Sequence, residues 1–450
     1  MSTALIVLAA GQGTRMNSDL PKVLHKLGGF ALFAHALRVG QELETEKSIL
    51  VVGHGGDAVA AQAQDLDPDT VVVHQAKQRG TAHAVAQAQD ALADFDGDVF
   101  VLFGDTPFIR TETLVKMAKA RAENDVVVLG FEADDPGRYG RLVMQGEHLE
   151  KIVEYKDANA DQRAISFCNG GIILAPSKTI FKLIEQISDD NASGEYYLTD
   201  IVEIANKQGL NCTAVQCEEA ETLGINTRAQ LADAEVRFQS NARATALDTG
   251  VTMAAADTVF FALDTHLGRD VVVEQNVVFG PGVTVETGAT IRAFSHLEGC
   301  HVSAGAIVGP YARLRPGAEI GNDARVGNFV EIKNSEIGEG AKVGHLSYLG
   351  DAEIGGGTNI GAGTVTCNYD GVMKHRTVIG KNAFIGSDTM LVAPVTIGDK
   401  AFTATGSVIT DDVPDGDLAI GRAKQVNKPG LARKLFEKLK AAKKKQEKDV

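Results

Sequence analysis

A glycine-rich loop near the start of the chain has the composition of a phosphate-binding loop. An apolar run at residues 4–10 leads into GQGTRM at residues 11–16, and Lys22 follows. A strand that enters such a loop exposes backbone N–H groups at the carboxyl edge of a sheet, where α/β proteins bind phosphates. The loop is not a Walker A motif, and Met16 replaces the third glycine of a dinucleotide fingerprint. Arg15 and Lys22 could stabilise the charge of a nucleoside triphosphate during phosphoryl transfer, and an ordinary βα turn is the alternative.

A carboxylate follows a second apolar strand. The run DVFVLFGD at residues 98–105 is apolar until it ends in Gly104 and Asp105. Asp105 therefore lies at the same edge of the predicted sheet as the glycine-rich loop. It could ligate Mg²⁺, which takes one or two protein oxygens and completes its shell with water and phosphate, or it could cap a helix.

Polar clusters in the second half of the chain suggest a different chemistry. The clusters are RLRP at 313–316, EIK at 331–333, GHLSY at 344–348 and NYD at 368–370. Arg315 and Lys333 lie 18 residues apart, which is one coil of the repeat described below, so their backbones stack about 4.8 Å apart. Two like charges at that spacing favour an anion such as a sugar phosphate. His345 could remove a proton from an amine near neutral pH, and a surface or capping histidine is the alternative.

A six-residue repeat predicts the element that positions these clusters. The repeating positions are Val273, Phe279, Val285, Ile291, Leu297, Val302, Val308, Leu314, Ile320, Val326, Ile332, Ile337, Val343, Leu349, Ile354, Ile360, Ile379, Ile385, Leu391, Ile397, Thr403 and Ile409. This period indicates a parallel β-helix whose three flat sides each bury one residue per coil. Residues 367–377 interrupt the repeat. A rigid solenoid that only assembles subunits is the alternative.

The remaining pattern divides the chain into four parts. Residues 1–226 alternate apolar strand-like runs with helical stretches, which predicts an α/β domain with a mainly parallel sheet. Residues 227–247 lack glycine and proline and predict one linker helix. The β-helix domain occupies 248–430. The tail at 431–450 carries +5 and predicts a solvated terminus, with contact to an acidic surface or anionic lipid as the alternative.

Charge and composition exclude several classes of protein. The net charge of −15 argues against general nucleic-acid binding. No stretch approaches the roughly 18 apolar residues of a membrane helix, so we expect no membrane insertion. The start has no basic region before its apolar run and does not resemble a signal peptide. Five cysteines without a CxxC pair suggest reduced thiols and a cytoplasmic location.

Seven motifs together resemble a known family. They are LAAGQGTRM at 8–16, PK at 21–22, QAKQRGTAHA at 75–84, FGD at 103–105, YGR at 139–141, GEYYLTD at 194–200 and GIN at 224–226. They look like those of sugar-1-phosphate nucleotidyltransferases. With the hexapeptide repeats, the chain resembles the bifunctional N-acetylglucosamine-1-phosphate uridyltransferase / glucosamine-1-phosphate N-acetyltransferase family. The resemblance implies a Rossmann-like α/β nucleotidyltransferase domain, a linker helix and a left-handed parallel β-helix.

The resemblance also implies site residues in the first domain. The positions that match contacts of the UDP-sugar are Leu8, Ala9, Gly11, Lys22, Gln75, Gly80, Thr81, Phe103, Gly104, Asp105, Gly140, Glu154, Asn169 and Asn226. Gln75 could offer a donor and an acceptor to uracil. Arg15 and Lys22 match cations that bind the triphosphate, and Asp105 with Asn226 match Mg²⁺ ligands. The implied reaction is attack of the sugar phosphate on the α-phosphorus of UTP, with release of pyrophosphate.

In the β-helix the resemblance implies acetyl transfer. His345 matches the general base, and Arg315, Lys333, Tyr348 and Asn359 match contacts of glucosamine-1-phosphate. The matches to acetyl-CoA contacts are Ala362, Asn368, Tyr369, Ser387, Thr405 and Arg422. Thr405 replaces a common alanine, which is harmless if the residue acts through its backbone. The family's acetyl-CoA site lies between β-helices, which implies a homotrimer. The implied product, UDP-N-acetylglucosamine, feeds peptidoglycan and lipopolysaccharide synthesis.

Two other interpretations remain at this point. One is a nucleotidyltransferase whose β-helix is only regulatory, as in the family that resembles glucose-1-phosphate adenylyltransferase. The other is a scaffold that binds nucleotide sugars without turnover. His345, Tyr348 and Lys333 argue against the first alternative, and Asp105 and Arg15 argue against the second.

Overall fold

The computed structural model describes residues 2–447 and divides into two compact units. The first unit runs to Thr245 and includes Phe261–Leu263, and the second comprises Ala246–Phe260 with the chain from Asp264 onward. Met1 and residues 448–450, at the ends of the predicted α/β domain and of the predicted tail, lie outside the described residues.

The first unit is built on one central sheet. Its strands are β1 (Thr3–Ala9), β2 (Lys26–Leu27), β3 (Phe30–Ala31), β4 (Lys47–Val52), β5 (Val71–His74), β6 (Asp98–Phe103), β7 (Val126–Glu132), β8 (Arg141–Gln145), β9 (His148–Val153), β10 (Phe167–Pro176) and β11 (Cys212–Cys217). The order across the sheet is β5-β4-β1-β6-β10-β7-β11-β9-β8, and β2 and β3 form a separate hairpin.

One half of the sheet is parallel and the other half is mixed. Strands β5, β4, β1 and β6 pair in parallel, as the alternating strand and helix pattern predicts. Strand β10 then pairs antiparallel with both β6 and β7, and β8 forms a hairpin with β9. The apolar runs used for the prediction do not include β8, β9 or β10, so their antiparallel pairing was not expected.

Helices cover both faces of this sheet. The α-helices of the chain are α1 (Leu32–Glu42), α2 (Gly56–Leu66), α3 (Thr81–Ala86), α4 (Thr111–Arg121), α5 (Ala160–Arg163), α6 (Ser177–Ile184), α7 (Ile201–Lys207), α8 (Arg228–Asp248) and α9 (Leu431–Gln446). Adjacent residues of β1 enter opposite cores: Ile6 packs in the cluster that contains α6, and Val7 packs in the cluster that contains α1. Both faces are therefore buried, and the polar ends of the strands remain available for a site.

The second unit is a column of three parallel sheets. The first face has strands Thr252–Met253, Val272–Val273, Thr290–Ile291, Ile307–Val308, Arg325–Asn328, Lys342–His345, Asn359–Ile360, Phe384–Ile385, Phe402–Thr403 and Leu418–Ala419. The second face has His266–Leu267, Val283–Val285, Cys300–Val302, Ala318–Ile320, Ser335–Ile337, Ala352–Ile354, Thr377–Ile379 and Val395–Ile397. The third face has Val278–Phe279, His296–Leu297, Arg313–Leu314, Glu331–Lys333, Tyr348–Gly350, Val365–Cys367, Met390–Val392 and Val408–Ile409.

The buried interior of the column follows the six-residue repeat. Every predicted repeating position from Val273 to Ile409 is buried. Thr366 fills a further inward position, and its hydroxyl accepts a hydrogen bond from the Gly350 backbone N–H at 2.8 Å. The interrupting loop at 367–377 lengthens one coil, since Ile354 pairs with Ile379 across 25 residues. The repeat therefore predicts which residues fill the interior of the column. The interrupting loop does not follow this pattern.

The helix α9 ends the described chain. All of its side chains are exposed, including Leu435 and Phe436. Across residues 2–447, no helix combines the length and the apolar character that crossing a bilayer requires.

Candidate active sites

A cleft of about 310 Å³ opens at the carboxyl ends of β1 and β6. Most of the predicted nucleotide contacts line it: Leu8, Ala9, Gly11, Lys22, Gln75, Gly80, Thr81, Phe103 and Asp105. Gly104 is not among the residues that line the cleft. Its backbone N–H donates to the Leu8 carbonyl at 2.9 Å and so joins the end of β6 to β1. The sheet thus gathers residues that are far apart in sequence into one concave surface.

Two cations and two oxygen ligands meet at the floor of this cleft. The Lys22 ammonium forms an ion pair with Asp105, and it donates to Asn226 Oδ1 at 3.1 Å. Arg15 donates to the same amide oxygen at 2.8 Å. Gly13 has a φ of 63°, and any Cβ there would overlap Lys22, so the glycine lets the loop close on the lysine. The predicted triphosphate cations and metal ligands therefore form one connected network.

The oxygens of Asp105 and Asn226 suit a hard cation. Both converge on the Lys22 ammonium, which shows that a positive charge fits between them. Mg²⁺ prefers such oxygens, needs only one or two from protein, and takes the rest from water and phosphate. The residues present therefore fit Mg²⁺ once Lys22 turns to a phosphate. Within residues 2–447 there is no cluster of three or more His, Cys, Asp or Glu side chains suited to a metal.

The amide of Gln75 has a fixed orientation. Its Nε2 donates to the Gly80 carbonyl at 3.1 Å and contacts His83 Nδ1 at 2.9 Å. With both amide hydrogens engaged within the protein, the carbonyl oxygen of the Gln75 amide remains as an acceptor, and the donor and acceptor contacts to uracil stay a prediction. Burial, with the nearby Arg79 charge, lowers the pKa of His83, which favours the neutral ring that can accept this hydrogen bond. An acceptor at this point suits the N3–H of uracil.

Gly140, Glu154 and Asn169, three of the predicted UDP-sugar contacts, lie close together near Phe103, whereas Asn226 lies with Lys22 and Arg15. The N–H of Asn169 donates to the Gly140 carbonyl at 2.9 Å, and a Cβ on Gly140 would lie 3.4 Å from Glu154 Oε1. A Cβ on Gly171 would touch the Phe103 ring, which places the cluster beside the cleft. Burial raises the pKa of Glu154, although a hydrogen bond from Thr199 opposes this shift. A partly desolvated carboxylate of this kind can accept hydrogen bonds from sugar hydroxyls.

Several cleft residues were not predicted from the sequence. The additional lining residues are Ala10, Val23, Gln78, Ala84 and Glu195. Gln78 donates to the Ala10 carbonyl across the mouth of the cleft. Gln78 lies within the QAKQRGTAHA motif and Glu195 within GEYYLTD, so the motifs themselves were the signal that could have identified them.

In the second unit, His345 stands in a vertical column of residues. The column consists of Asn328, His345, Ala362, Ser387 and Thr405, one from each successive coil. Backbone hydrogen bonds connect its levels, for example from Asp388 N–H to the Ala362 carbonyl at 2.7 Å. Arg422 donates to the Thr405 carbonyl at 2.7 Å. The predicted base and four predicted acetyl-CoA contacts thus lie on one edge, and the Thr405 backbone carbonyl is the group that contacts Arg422 there.

The imidazole of His345 is exposed and oriented. Its Nδ1 lies 2.5 Å from Asn328 Oδ1 in the preceding coil. Ser347 donates to the His345 carbonyl at 2.8 Å, which fixes the backbone on the other side. The contact at Nδ1 leaves Nε2 available to a substrate.

A column of cationic side chains lies on the third face of the β-helix, whereas His345 lies on the first face. Arg315, Lys333 and Gly350 occupy successive levels, and a Cβ on Gly350 would overlap the Tyr348 ring. The glycine therefore makes room for Tyr348 beside the two cations. The interrupting loop adds Lys374, a residue that none of the sequence motifs indicates. The neighbouring Lys374 ammonium, together with desolvation, lowers the pKa of Lys333.

Such a pair of ammonium groups favours an anion. Two neighbouring positive charges destabilise each other, and a bound phosphate would relieve the repulsion. Arg315 is partly neutralised by Glu331, whose Oε1 lies 2.8 Å from the guanidinium. The predicted contact Asn359 lies on the first face, one level above Lys342.

Two predicted acetyl-CoA contacts belong to the interrupting loop. Asn368 is buried and donates to Asp351, which also accepts from Asn334 at 2.6 Å. Burial raises the pKa of Asp351, but these hydrogen bonds and the Lys333 charge outweigh it, so the net pKa is low. Tyr369 is exposed, and its hydroxyl donates to the Gly371 carbonyl at 2.6 Å. The loop is therefore anchored at Asn368 and presents Tyr369 outward.

An exposed aromatic ladder adjoins the His345 column. It consists of Phe294, Tyr311 and Phe329, whose ring centroids are 4.9 and 5.2 Å apart. Leu346 continues the same corner next to His345. All four residues have φ between 50° and 60°, a left-handed conformation that costs a non-glycine residue about 1 kcal/mol or more. About half of each side chain is exposed.

Comparisons with known proteins agree with the division of the chain into an α/β unit and a β-helix unit. Residues 5–170 match the MobA-like NTP transferase domain, and residues 299–334 and 376–411 match the bacterial transferase hexapeptide (six repeats). With the three parallel sheets, these matches confirm the predicted fold class of a nucleotidyltransferase unit and a left-handed β-helix.

Relatives match over nearly the whole chain. The bifunctional protein GlmU of Jannaschia sp. (strain CCS1) is 64% identical over 99% of this chain and 98% of its own. That of Ruegeria pomeroyi is 64% identical over 100% of both chains, and that of Paracoccus denitrificans is 63% identical over 98% of both. The family expected from the sequence motifs is confirmed, and the chain belongs to the family of bifunctional GlmU proteins.

Proposed function

We propose that this chain makes UDP-N-acetylglucosamine in two steps, at two separate sites. The β-helix transfers an acetyl group from acetyl-CoA to glucosamine-1-phosphate. The α/β unit then transfers a uridylyl group from UTP to the product and releases pyrophosphate. Family membership supports both transferase roles and disfavours a β-helix that only regulates. The observation that carries the proposal is that each unit holds its own polar site, the Lys22 cleft and the His345 column.

In the first step, His345 serves as the general base. Its Nε2 takes a proton from the amino group as the nitrogen attacks the thioester carbonyl. The C–N bond forms, the C–S bond breaks, and the proton passes to the leaving CoA thiolate. Arg315, Lys333 and Lys374 hold the phosphate, and Tyr348 and Asn359 position the sugar. The edge above His345, from Ala362 to Thr405, holds acetyl-CoA together with Asn368, Tyr369 and Arg422.

In the second step, the protein supplies positioning and charge. Leu8, Ala9, Gly11, Gln75, Gly80 and Thr81 hold the uridine, and Gly140, Glu154 and Asn169 hold the acetylated sugar. The sugar phosphate oxygen attacks the α-phosphorus in line, and Arg15 and Lys22 stabilise the charge that grows on the departing pyrophosphate. Asp105 and Asn226 would hold Mg²⁺, which supplies further charge neutralisation at the phosphates. This step requires no nucleophile from the protein.

The assay must read the two products separately. Purified chain receives glucosamine-1-phosphate, acetyl-CoA, UTP and Mg²⁺, and free CoA thiol and pyrophosphate are measured independently. We expect both products, with pyrophosphate release from glucosamine-1-phosphate stimulated by acetyl-CoA. Release of pyrophosphate without any thiol would instead favour a regulatory β-helix.

We further infer that the aromatic ladder packs against neighbouring copies in a homotrimer. Three exposed rings held in left-handed backbone conformation suit burial against protein, because such a contact offsets both the exposure and the strain. The ladder adjoins His345, so a neighbouring copy could complete the acetyl-CoA site. The small-molecule substrates, the charge of the chain and its motifs fit a cytoplasmic enzyme without nucleic-acid partners.

Phe329→Asp tests the trimer. A carboxylate in place of the Phe329 ring should dissociate the subunits, because an unpaired charge would be buried at the interface. We expect sedimentation to show monomers, with acetyl transfer lost and uridylyl transfer retained. Val236→Asp, on the exposed face of α8, is the matched control. A Phe329→Asp protein that stays trimeric with normal acetyl transfer would contradict this interface.

Lys374→Ala tests the third phosphate cation. Loss of one partly exposed ion pair should raise the KM for glucosamine-1-phosphate about fivefold and leave kcat for acetyl transfer nearly unchanged. Steady-state thiol release measures both constants, with the exposed Lys381→Ala on the next coil as control. A fall in kcat at constant KM would argue against a role in phosphate binding.

A further inference from the structure

We propose that Asn328 is a positioning residue that holds His345 in the tautomer required for proton removal. This inference rests on the proposed acetyl transfer and adds a residue that the sequence motifs do not single out. Asn328 ends the strand Arg325–Asn328, and His345 ends the strand of the next coil.

The β-helix itself fixes the two side chains relative to each other. Asn328 and His345 are paired in register between adjacent parallel strands. The N–H of Leu346 donates to the Asn328 carbonyl at 3.0 Å, directly beyond the pair. Stacked residues of neighbouring parallel strands lie about 4.8 Å apart, so their side chains are close enough to contact each other. The two backbones bring these side chains within reach of each other, and Asn328 Oδ1 lies 2.5 Å from His345 Nδ1.

The chemistry of this contact determines where the imidazole carries its hydrogen. An amide oxygen only accepts, so Nδ1 must carry the N–H that donates to Asn328 Oδ1. In neutral imidazole the other nitrogen then keeps its lone pair, which makes Nε2 the base. Were the amide reversed, its NH₂ would donate to Nδ1, the ring hydrogen would lie on Nε2, and proton removal would fail.

A neutral orienting group also suits the pH at which the base must work. A carboxylate at this position would stabilise the imidazolium and raise the pKa of His345, whereas an amide orients the ring without adding charge. Charged side chains on the flanking strands are Arg325 on the preceding strand and Lys342 on the strand of His345; Asn359–Ile360 contributes none. On the strands Arg313–Leu314, Glu331–Lys333 and Tyr348–Gly350 of the adjacent third face, the titratable and charged groups are Arg313, Glu331, Lys333 and Tyr348.

Two substitutions of Asn328 separate positioning from simple support of the fold. Asn328→Ala removes the acceptor, and we expect kcat for acetyl transfer to fall about 10- to 100-fold, the loss typical when the partner that orients a metal-bound histidine is removed. The KM for glucosamine-1-phosphate should change little. Asn328→Asp keeps the acceptor, so activity should persist, but the acidic limb of the pH profile of kcat/KM should move up by about one pH unit.

Asn322→Ala is the matched control, since Asn322 lies on the same coil and is exposed. Uridylyl transfer from N-acetylglucosamine-1-phosphate and acetyl-CoA binding report that each variant is folded. Wild-type acetyl transfer in Asn328→Ala, or an unmoved acidic limb in Asn328→Asp, would overturn the proposal. If the unmodified chain releases no CoA thiol, the proposed function itself fails, and that outcome is distinct from both.

Discussion

Replacing His345 by alanine is expected to abolish acetyl transfer while leaving uridylyl transfer from N-acetylglucosamine-1-phosphate intact. A general base contributes about 10²- to 10⁴-fold, so CoA thiol release should fall by at least two orders of magnitude. The imidazole is exposed, its Nδ1 is occupied by Asn328, and the same edge bears the predicted acetyl-CoA contacts. Removal of the imidazole should not disturb the interior of the β-helix, because the buried repeating residues fill it.

Thiol release with glucosamine-1-phosphate as acceptor measures this effect. His296→Ala is the matched control, because that histidine is also exposed on the outside of the column. Acetyl transfer in His345→Ala that stays near the wild-type rate would place the base elsewhere.

The second large effect is expected at the floor of the nucleotide cleft. Arg15→Ala should reduce pyrophosphate release about 10²- to 10³-fold, the usual loss when one group that stabilises transition-state charge is removed. Asp105→Ala should have at least this effect, since Asp105 both pairs with Lys22 and is placed to hold Mg²⁺. Acetyl transfer should be unchanged in both variants, because the His345 column lies in the other unit.

Pyrophosphate release from UTP and N-acetylglucosamine-1-phosphate gives this measurement. Asp105→Asn keeps the size of the side chain and separates loss of charge from loss of fold. Lys116→Ala, on the exposed side of α4, controls for removal of a surface cation. Unchanged pyrophosphate release in Arg15→Ala would show that the cleft binds something other than the triphosphate.

The interior of the β-helix was predictable because every coil packs its inward side chains in the same way. One aliphatic residue per side must fill the interior at every level, so the sequence shows a six-residue period without reference to distant contacts. The α/β sheet was less predictable. Strand β10 contains Gly170 and Gly171, where its pairing with β7 shifts register, and this irregularity hides its antiparallel role in the sequence.

The placement of the candidate site residues was predictable where they follow a strand, and harder to predict where it depends on the register between coils. Arg15, Lys22 and Asp105 follow apolar strands, and the sheet edge brings them together. Asn328 and Lys374 gave weaker signals. Asn328 lies 17 rather than 18 residues before His345, because this coil is one residue shorter than that between Arg315 and Lys333. Lys374 reaches Lys333 only through the loop that lengthens one coil, and no periodicity describes that loop.

The central claim is that the protein carries two independent active sites, one built on each unit of the chain, and mixing two defective variants tests it most directly. His345→Ala and Arg15→Ala are combined with glucosamine-1-phosphate, acetyl-CoA, UTP and Mg²⁺, and UDP-N-acetylglucosamine is measured. We expect the mixture to form this product although neither variant forms it alone, since the acetylated intermediate diffuses from one protein to the other. A mixture that forms none, while each variant keeps its remaining activity, would contradict the claim.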